Sequence, residues 1–254
     1  MRIATLNIWC RRGPWADRLA LIRGELRQLA PEVVALQEVI RDRDGCQAHE
    51  IAAGLGHTVA YAPAAFRQGN ALLSAHPVLE QQVLVLPGAD RAEPRALLCV
   101  RLDTPRGELP VFVTHLAWKA NESALRLEQV RFIAERVAEF APPGSGLPPV
   151  LAGDFNAGPG TPEIAHLTDS GWTDAWAHAG DGTEGFTFHR RNDYAREWNE
   201  PDQRLDYLFV RNGKGSGPGP GSGDLVPKNT RLAFTNPVGG VWPSDHFGVV
   251  TDLH

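Results

Sequence analysis

Eight polar residues stand beside short apolar runs in this 254-residue chain: Asn7, Glu38, His115, Asp154, Asn156, Asp206, Asp245 and His246. They come from six separate segments. Asn7, Glu38 and Asp245 offer hard oxygen donors of the kind Mg²⁺ or Mn²⁺ takes, and no Cys/His spacing suits zinc. His115 and His246, with carboxylates available to orient them, suit proton transfer and phosphate neutralisation. Taken singly, each has a plainer account: a satisfied core amide, a surface carboxylate, a packed imidazole. The densest stretch is Pro148 to Asn156, where the apolar run Val150 to Ala152 reads as a buried strand closed by Gly153. Asp154 and Asn156 follow two residues apart, which places both on one face of an extended backbone. An Asx turn bonding nearby backbone is the competing account.

The elements that must position these groups alternate between apolar runs and helical periodicities. Ile3 to Ile8 predicts a first strand, carrying Asn7. Leu19, Ile22, Leu26 and Leu29 mark one face of a helix over 15–30, with Pro14 near its start and Pro31 past its end. Val33 to Leu36 predicts a second buried strand that delivers Gln37 and Glu38. From Thr58 to Val113, runs at Ala71–Leu73, Val83–Leu86, Ala96–Leu102 and Leu109–Val113 predict successive strands with tight connections. Thr114-His115 closes the last. Leu127, Val130, Ala134, Val137 and Ala141 mark a second amphipathic helix, with Asn121 or Ser123 as its cap. Pro142 to Gly146 reads as a loop inside one domain, and Pro162 to Thr168 as a short helix. Residues 177–203 show no period, Leu205 to Val210 is another strand, and Arg211 to Gly223 reads as a flexible Gly/Ser/Pro-rich loop. Phe247 to Leu253 is a closing strand.

Composition bounds the class. Hydrophobic residues make up 43% and charged residues 22%, ordinary values for a globular chain with ample core. The formal charge of −5 gives no overall basic footprint for duplex binding, though a local groove can still be basic. Cys10, Cys46 and Cys99 are far apart and odd in number, and are expected as reduced thiols or small buried hydrophobes. Met1-Arg2 leads straight into Ile3 to Leu6, with no export signal, and no apolar run reaches membrane-span length. A soluble, cytoplasmic, monomeric protein is expected, built as a single domain over 1–254.

The order of motifs resembles that of the endonuclease/exonuclease/phosphatase superfamily, the DNase I-like proteins. The motifs are Thr5-Leu6-Asn7, Leu36-Gln37-Glu38, Gly69 to Ser74, Thr114-His115-Leu116, Gly153 to Asn156, Arg204 to Tyr207, and Ser244-Asp245-His246. They span residues 3–246. The resemblance implies a four-layer α/β sandwich, with two mixed sheets packed face to face, helices outside and a site at one rim. It implies a divalent-metal phosphoesterase, with Glu38 as main ligand of Mg²⁺ or Mn²⁺ and Asn7 and Asp245 close to the metal or its waters. His246, oriented by Asp206, would activate or align the attacking water, and Asp154 would position it. His115 and Asn156 would hold the phosphoryl oxygens. Arg95 lies where the family often has a phosphate-contacting arginine, a solvated arginine being the alternative. Asn70 and Trp118 complete the substrate-side candidates.

Substrate identity is less legible. Val39-Ile40 follows Glu38 where abasic-site nucleases typically carry a lysine, which argues against that branch. Secreted sphingomyelinase-like members usually have an export signal. Arg190, Arg191 and Arg196 are the one cluster comparable with an inositol-phosphatase loop, and a solvated loop accounts for them. Trp118 and Trp198 sit where rim aromatics would stack on a base or cover a lipid, though packing under their own loops is the favoured expectation. The expected partner is a phosphoester: a nucleic acid, a phospholipid headgroup or a small phosphodiester. A phosphodiesterase is favoured over an inositol- or sugar-phosphate monoesterase. An inactive binding protein on this fold and a paired-carboxylate glycosidase are the alternatives of other classes.

Overall fold

The computed structural model describes residues 1–43, 45–90, 92–211 and 224–254. The chain opens with strand β1 (Arg2–Asn7), helix α1 (Trp15–Leu29) and strand β2 (Val33–Gln37). A two-residue ribbon, β3 (Arg41–Asp42) and β4 (Gly45–Cys46), leads into α2 (Gln47–Ala52). Five strands follow: β5 (Thr58–Pro63), β6 (Gly69–Ser74), β7 (Val78–Val85), β8 (Ala96–Thr104) and β9 (Gly107–His115). Then come α3 (Ser123–Phe140), β10 (Val150–Asp154), α4 (Pro162–Asp169), β11 (Thr173–Asp174), α5 (Ala175–Ala179) and α6 (Asp193–Arg196). Strands β12 (Asp206–Val210), β13 (Pro227–Ala233) and β14 (Gly248–Leu253) end the chain.

Twelve of these strands form two mixed sheets, ordered β13-β14-β1-β2-β6-β5 and β11-β12-β10-β9-β8-β7. Each sheet has one parallel pair at its middle, β1 with β2 and β9 with β10, and every other pairing is antiparallel. That arrangement makes the site. The parallel strands end at one rim, so Asn7 lies opposite Gln37 and His115 opposite Asp154. Their antiparallel neighbours start at the same rim, so Asp206 pairs with Asp154, and β6, β8 and β14 begin there as well. Residues scattered over the sequence are thereby brought to a single edge.

Strand side chains alternate between two cores, which is why the runs read as continuously apolar rather than as alternating polar and apolar. Between the sheets lie Ile3, Val33, Ala35 and Leu72 from one and Leu98, Val111, Val113, Ala152 and Leu208 from the other. On the outer face of the first sheet, Ala4, Leu6, Val34 and Leu36 pack against Ile22, Leu26 and Ile51 of the helices. On the outer face of the second, Phe112, Leu151 and Phe209 pack against Val130, Ile133, Val137 and Leu167. The result is the four-layer α/β sandwich that the motifs imply. Among the described residues no helix is long and apolar enough to cross a membrane.

Some elements differ from the sequence expectation. Ser123 is the first helical residue of α3, not its cap. Its hydroxyl donates to Glu163 on α4, and Asn121 belongs to a preceding 3₁₀ turn. The buried stripe of α3 runs through Ile133 and Phe140 rather than Ala134, and it carries Arg126 and Gln129, while Ala141, just past its end, is buried in the same core as expected. In α1 the expected Leu19, Ile22, Leu26 and Leu29 pack on the core, and the fully buried residues include an arginine, Arg18, beside Ile22 and Leu26. Residues 177–203 hold α5, α6 and an isolated bridge between Phe188 and Gln203. The run from Arg211 to Gly223, expected as a loop, lies outside the described residues beyond Arg211.

Candidate active site

At the end of β1, Asn7 is 2% exposed, and its Nδ2 donates to Asp154 Oδ2 at 2.9 Å across the gap between the sheets. Its own Oδ1 accepts the Trp9 amide at 3.0 Å, which bends the chain away from the strand. Glu38 follows β2 with φ of 58°, a left-handed conformation uncommon outside glycine. The Cys10 thiol donates to Glu38 Oε2 at 3.1 Å. Burial, and then the negative charge of Glu38, push that thiol far up from its ordinary value, so it stays protonated.

Gly153 permits the next pair. Its φ is 151°, and a Cβ there would stand 2.0 Å from the carbonyl oxygen of Thr114 on the parallel neighbour. Only glycine lets β9 and β10 approach so closely one residue before Asp154 and His115. Beyond Asp154 the expectation of extended backbone fails. Asn156 has φ of 48°, and its amide N–H donates to Asp154 Oδ1 at 2.9 Å. The Asx turn is therefore present, but it uses one oxygen of Asp154 and leaves the other facing Asn7 and the histidines. Asn156 Nδ2 donates to Leu116 O at 3.2 Å, which fixes the amide beside the loop that follows His115.

His246 Nδ1 lies 2.8 Å from Asp206 Oδ2, and its Nε2 lies 3.9 Å from Asp154 Oδ2. The carboxylate fixes the tautomer with a proton on Nδ1. Burial favours the neutral ring, but Asp206, Asp245 and Asp154 outweigh it and hold the imidazole well above its usual value. Burial and Asp206 raise the Asp154 carboxyl, and burial with Glu38 raises Asp245, each against the pull of His246. His115 goes the other way. Burial, then Arg95 and His246, hold it well below the usual imidazole value, so it is neutral. Arg95 Nη1 donates to His115 Nδ1 at 3.2 Å, which leaves the ring proton on Nε2, 3.5 Å from Asp154 Oδ2. The expected neutralisation of phosphate by two cationic histidines thus reduces to one imidazolium and one neutral N–H donor.

The ligand atoms of Asp154, Asp206 and His246 lie within 4.8 Å of one another. This is a different trio from the expected Glu38, Asn7 and Asp245, although Glu38 bears electrostatically on Asp245. Among the described residues Asp206 Oδ1 is buried without a hydrogen-bond partner, and Asp245 Oδ1 accepts from Ser244 Oγ at 3.3 Å. Under-satisfied buried carboxylates fit a divalent cation, and their oxygens suit a hard one.

Substrate-side candidates divide. Arg95 is 6% exposed, so it is not a solvated arginine, and among the described residues its Nε has no partner. With Glu38, Gln68, Gly69, Asn70 and His115 it lines one small pocket. Asn70 uses its amide hydrogens on Ala96 O (2.8 Å) and Val113 O (3.4 Å), tying the two sheets together at this rim. Trp118 and Trp198 are 49% and 46% exposed, which overturns the expectation that they pack under their own loops. The backbone around Trp118 is instead pinned to α3, with Gln129 Oε1 accepting from Ala117 N and Arg126 Nη1 donating to Lys119 O, and the indole is left outside. Arg190 and Arg196 are more than half exposed and pair with Asp202 and Asp193, as a solvated loop does.

Sequence reasoning missed the groups behind the site. Thr187 Oγ1 accepts the amides of Leu205 and Asp206, at 3.0 and 3.1 Å. Asn192 Nδ2 donates to Ser244 O at 2.8 Å, and Ser244 Oγ donates to Asn7 O at 2.6 Å. The aperiodic segment 177–203 is therefore a buttress for Asp206 and Asp245. Its fully buried Thr187 and Asn192 carry no periodic signal by which they could be found.

Comparison with known proteins agrees with this geometry. A family model described as the Endonuclease/Exonuclease/phosphatase family matches residues 4–246. Protein angel homolog 2 from Mus musculus is 28% identical over 178 residues, which is 63% of this chain and 32% of that protein. The chain thus spans about a third of the length of the curated relatives it matches. Among solved structures, D. rerio TDP2 complexed with single strand DNA product superposes with a TM-score of 0.79 at 20% identity, covering 100% of this chain and 98% of that one. The human Nocturnin catalytic domain with bound sulfate anion gives 0.77 at 20% identity, covering 100% of this chain and 93% of that one.

Proposed function

The chain belongs to the endonuclease/exonuclease/phosphatase family, and from that premise we propose that it hydrolyses a phosphodiester by in-line attack of water. The observation that carries the proposal is the Asp206–His246–Asp154 line, 2.8 and 3.9 Å between successive groups, on a rim that also bears Asn7, Glu38, His115 and Asp245. Glu38 and Asp245, with Asn7 beside them, would hold Mg²⁺ or Mn²⁺. When bound there, such an ion would supply Lewis-acid stabilisation of the charge that builds on the phosphoryl and leaving oxygens.

The protein's own groups account for the rest. Asp154 Oδ2, kept in place by Asn7 and raised toward proton-accepting range, orients the attacking water and takes its proton. His246, charged and aligned by Asp206, faces the phosphoryl oxygens as a donor at Nε2. It aligns the phosphate rather than acting as the base. His115 donates its Nε2–H from the other side, and Asn156 and Arg95 complete the cradle. Preorganised donors of this kind act where charge develops and do not have to reorganise during the reaction.

A nucleic-acid diester is the preferred substrate class, because Trp118 stands open and a base can stack on it. That a similarly folded protein is complexed with single strand DNA supports the same choice. The test is a panel of bis-p-nitrophenyl phosphate, p-nitrophenyl phosphate, single-stranded DNA and RNA, sphingomyelin and inositol phosphates, run with EDTA and with Mg²⁺ or Mn²⁺ restored. Diesters should turn over faster than the monoester, single strands best of all, and EDTA should abolish each activity. Faster monoester hydrolysis replaces the diesterase reading, and EDTA-resistant activity removes it.

A further inference from the structure

One buried cation plays no part in the chemistry above. Arg18, on the inner stripe of α1, is fully buried, and among the described residues no carboxylate pairs with it. It spends its donors on main-chain carbonyls: Nε on Pro243 O at 3.1 Å, Nη1 on Arg12 O at 2.7 Å and Cys10 O at 3.4 Å, and Nη2 on Ile8 O. Its guanidinium lies 5.0 Å from the Trp9 ring centroid and 5.4 Å from that of Trp15.

The carbonyls belong to two loops. One, Ile8 to Arg12, leaves β1 just past Asn7. Its Trp9 and Cys10 have φ of 55° and 48°, consecutive left-handed residues that are not glycine and persist only where the surroundings hold them. From this loop Cys10 donates to Glu38 Oε2. The other loop, at Pro243, runs directly into Ser244, Asp245 and His246. Gln47 Nε2 adds one further bond to Cys10 O at 2.8 Å, but it reaches only the first loop.

We propose that Arg18 is a positioning residue that clamps these two loops together, and so fixes the distance between the oxygens of Asn7 and Glu38 on one side and Asp245 on the other. The inference rests on the reading of those oxygens as the cation site. Guanidinium is required because its planar fork carries five donors along fixed directions, whereas an ammonium is one point with three. Arg18→Lys keeps the charge but cannot reach both loops, and Arg18→Met keeps only the bulk.

The experiment uses the full chain and four readouts: a thermal melt, hydrogen exchange by mass spectrometry, Mn²⁺ binding by electron paramagnetic resonance, and kcat against Mn²⁺ concentration. Arg18→Lys should melt cooperatively and exchange faster at residues 8–12 and 243–247, with α3 and α4 unchanged. It should bind Mn²⁺ at least tenfold more weakly, and kcat should recover toward wild type as Mn²⁺ is raised. Arg18→Met should go further in the same direction. If Arg18→Met fails to fold, Arg18→Lys decides. Loop exchange and Mn²⁺ affinity within twofold of wild type, or faster exchange spread evenly over all elements, would overturn the proposal. If wild type takes up no Mn²⁺, the cation reading falls, and the exchange pattern alone then judges Arg18.

Discussion

Asn7 and Asp154, 147 positions apart and on different sheets, are joined by a 2.9 Å hydrogen bond from Asn7 Nδ2 to Asp154 Oδ2. That bond closes the gap between the sheets at the rim where the parallel strands end. It also keeps Asp154 lower on the pH scale than burial alone would leave it. Asn7→Ala removes a donor from a buried carboxylate, so it should destabilise the fold by about 1–3 kcal/mol and lower kcat. Denaturant melts and steady-state rates at saturating Mn²⁺ check both effects. Unchanged stability and unchanged kcat would show that the bond does nothing.

Asp206 sets the orientation of His246 without facing the substrate. Asp206→Asn preserves shape but removes the charge that keeps His246 an imidazolium, so the ring loses a proton and with it the Nε2 donor. The expected loss in kcat is about 10²–10³-fold, what one preorganised donor contributes, with KM nearly constant. A rise in KM with kcat preserved would mean that His246 only binds substrate.

Arg204 and Asp174 form a buried pair at 2.7 Å, behind β12, and Asp174 also caps α5 through the Trp176 amide. Asp174→Ala strands a buried guanidinium and uncaps the helix. The expected cost is about 3–5 kcal/mol, read from urea unfolding. A loss below about 1 kcal/mol would place the pair among surface-like ion pairs.

Arg2 and Asp252 meet at 2.8 Å across the antiparallel pair β1 and β14. The Arg2 hydrogen bond holds the Asp252 carboxyl below its ordinary value, against partial burial. A carboxyl lowered on folding stabilises above its unfolded pKa and loses that contribution as pH falls through its folded pKa. Arg2→Gln should therefore be less stable than wild type at pH 7, by about 1 kcal/mol or less because the half-buried pair keeps contact with solvent. The two proteins should converge below pH 4. A difference that persists at pH 2 would assign the effect to Arg2 packing instead.

Trp118 offers an exposed indole three residues past His115. Trp118→Ala should raise KM for single-stranded DNA about 5- to 100-fold, in keeping with about 1–3 kcal/mol per stacked base. KM for bis-p-nitrophenyl phosphate should change far less. Equal effects on both substrates would assign Trp118 to the loop structure.

The sequence carried the architecture well because each central strand is a run apolar on both faces, ending in the polar residue it delivers. Val150 to Ala152 before Asp154, and Val33 to Leu36 before Glu38, are legible for that reason. The meeting of Asp206 with His246 was legible only through the ordered motifs, since no local period links residues 40 apart. Asn156 was misplaced because the Asx turn ends the strand at Asp154. Trp118 was misread because burial depended on how α3 grips a neighbouring backbone. Arg18 was invisible as a clamp, since its carbonyl partners leave no trace in residue type. Its one signal is a lone arginine spaced four and eight residues from Ile22 and Leu26 in an apolar stripe.

The central claim is that Asp154 takes a proton from water at this rim. Asp154→Asn is nearly isosteric, and its carbonyl oxygen can accept from Asn7 Nδ2 or from the Asn156 amide but not from both. At saturating Mn²⁺, with the fold confirmed by a cooperative melt, its kcat on single-stranded DNA should fall by about 10²–10⁴-fold with KM little altered. A kcat within about fivefold of wild type would contradict the account.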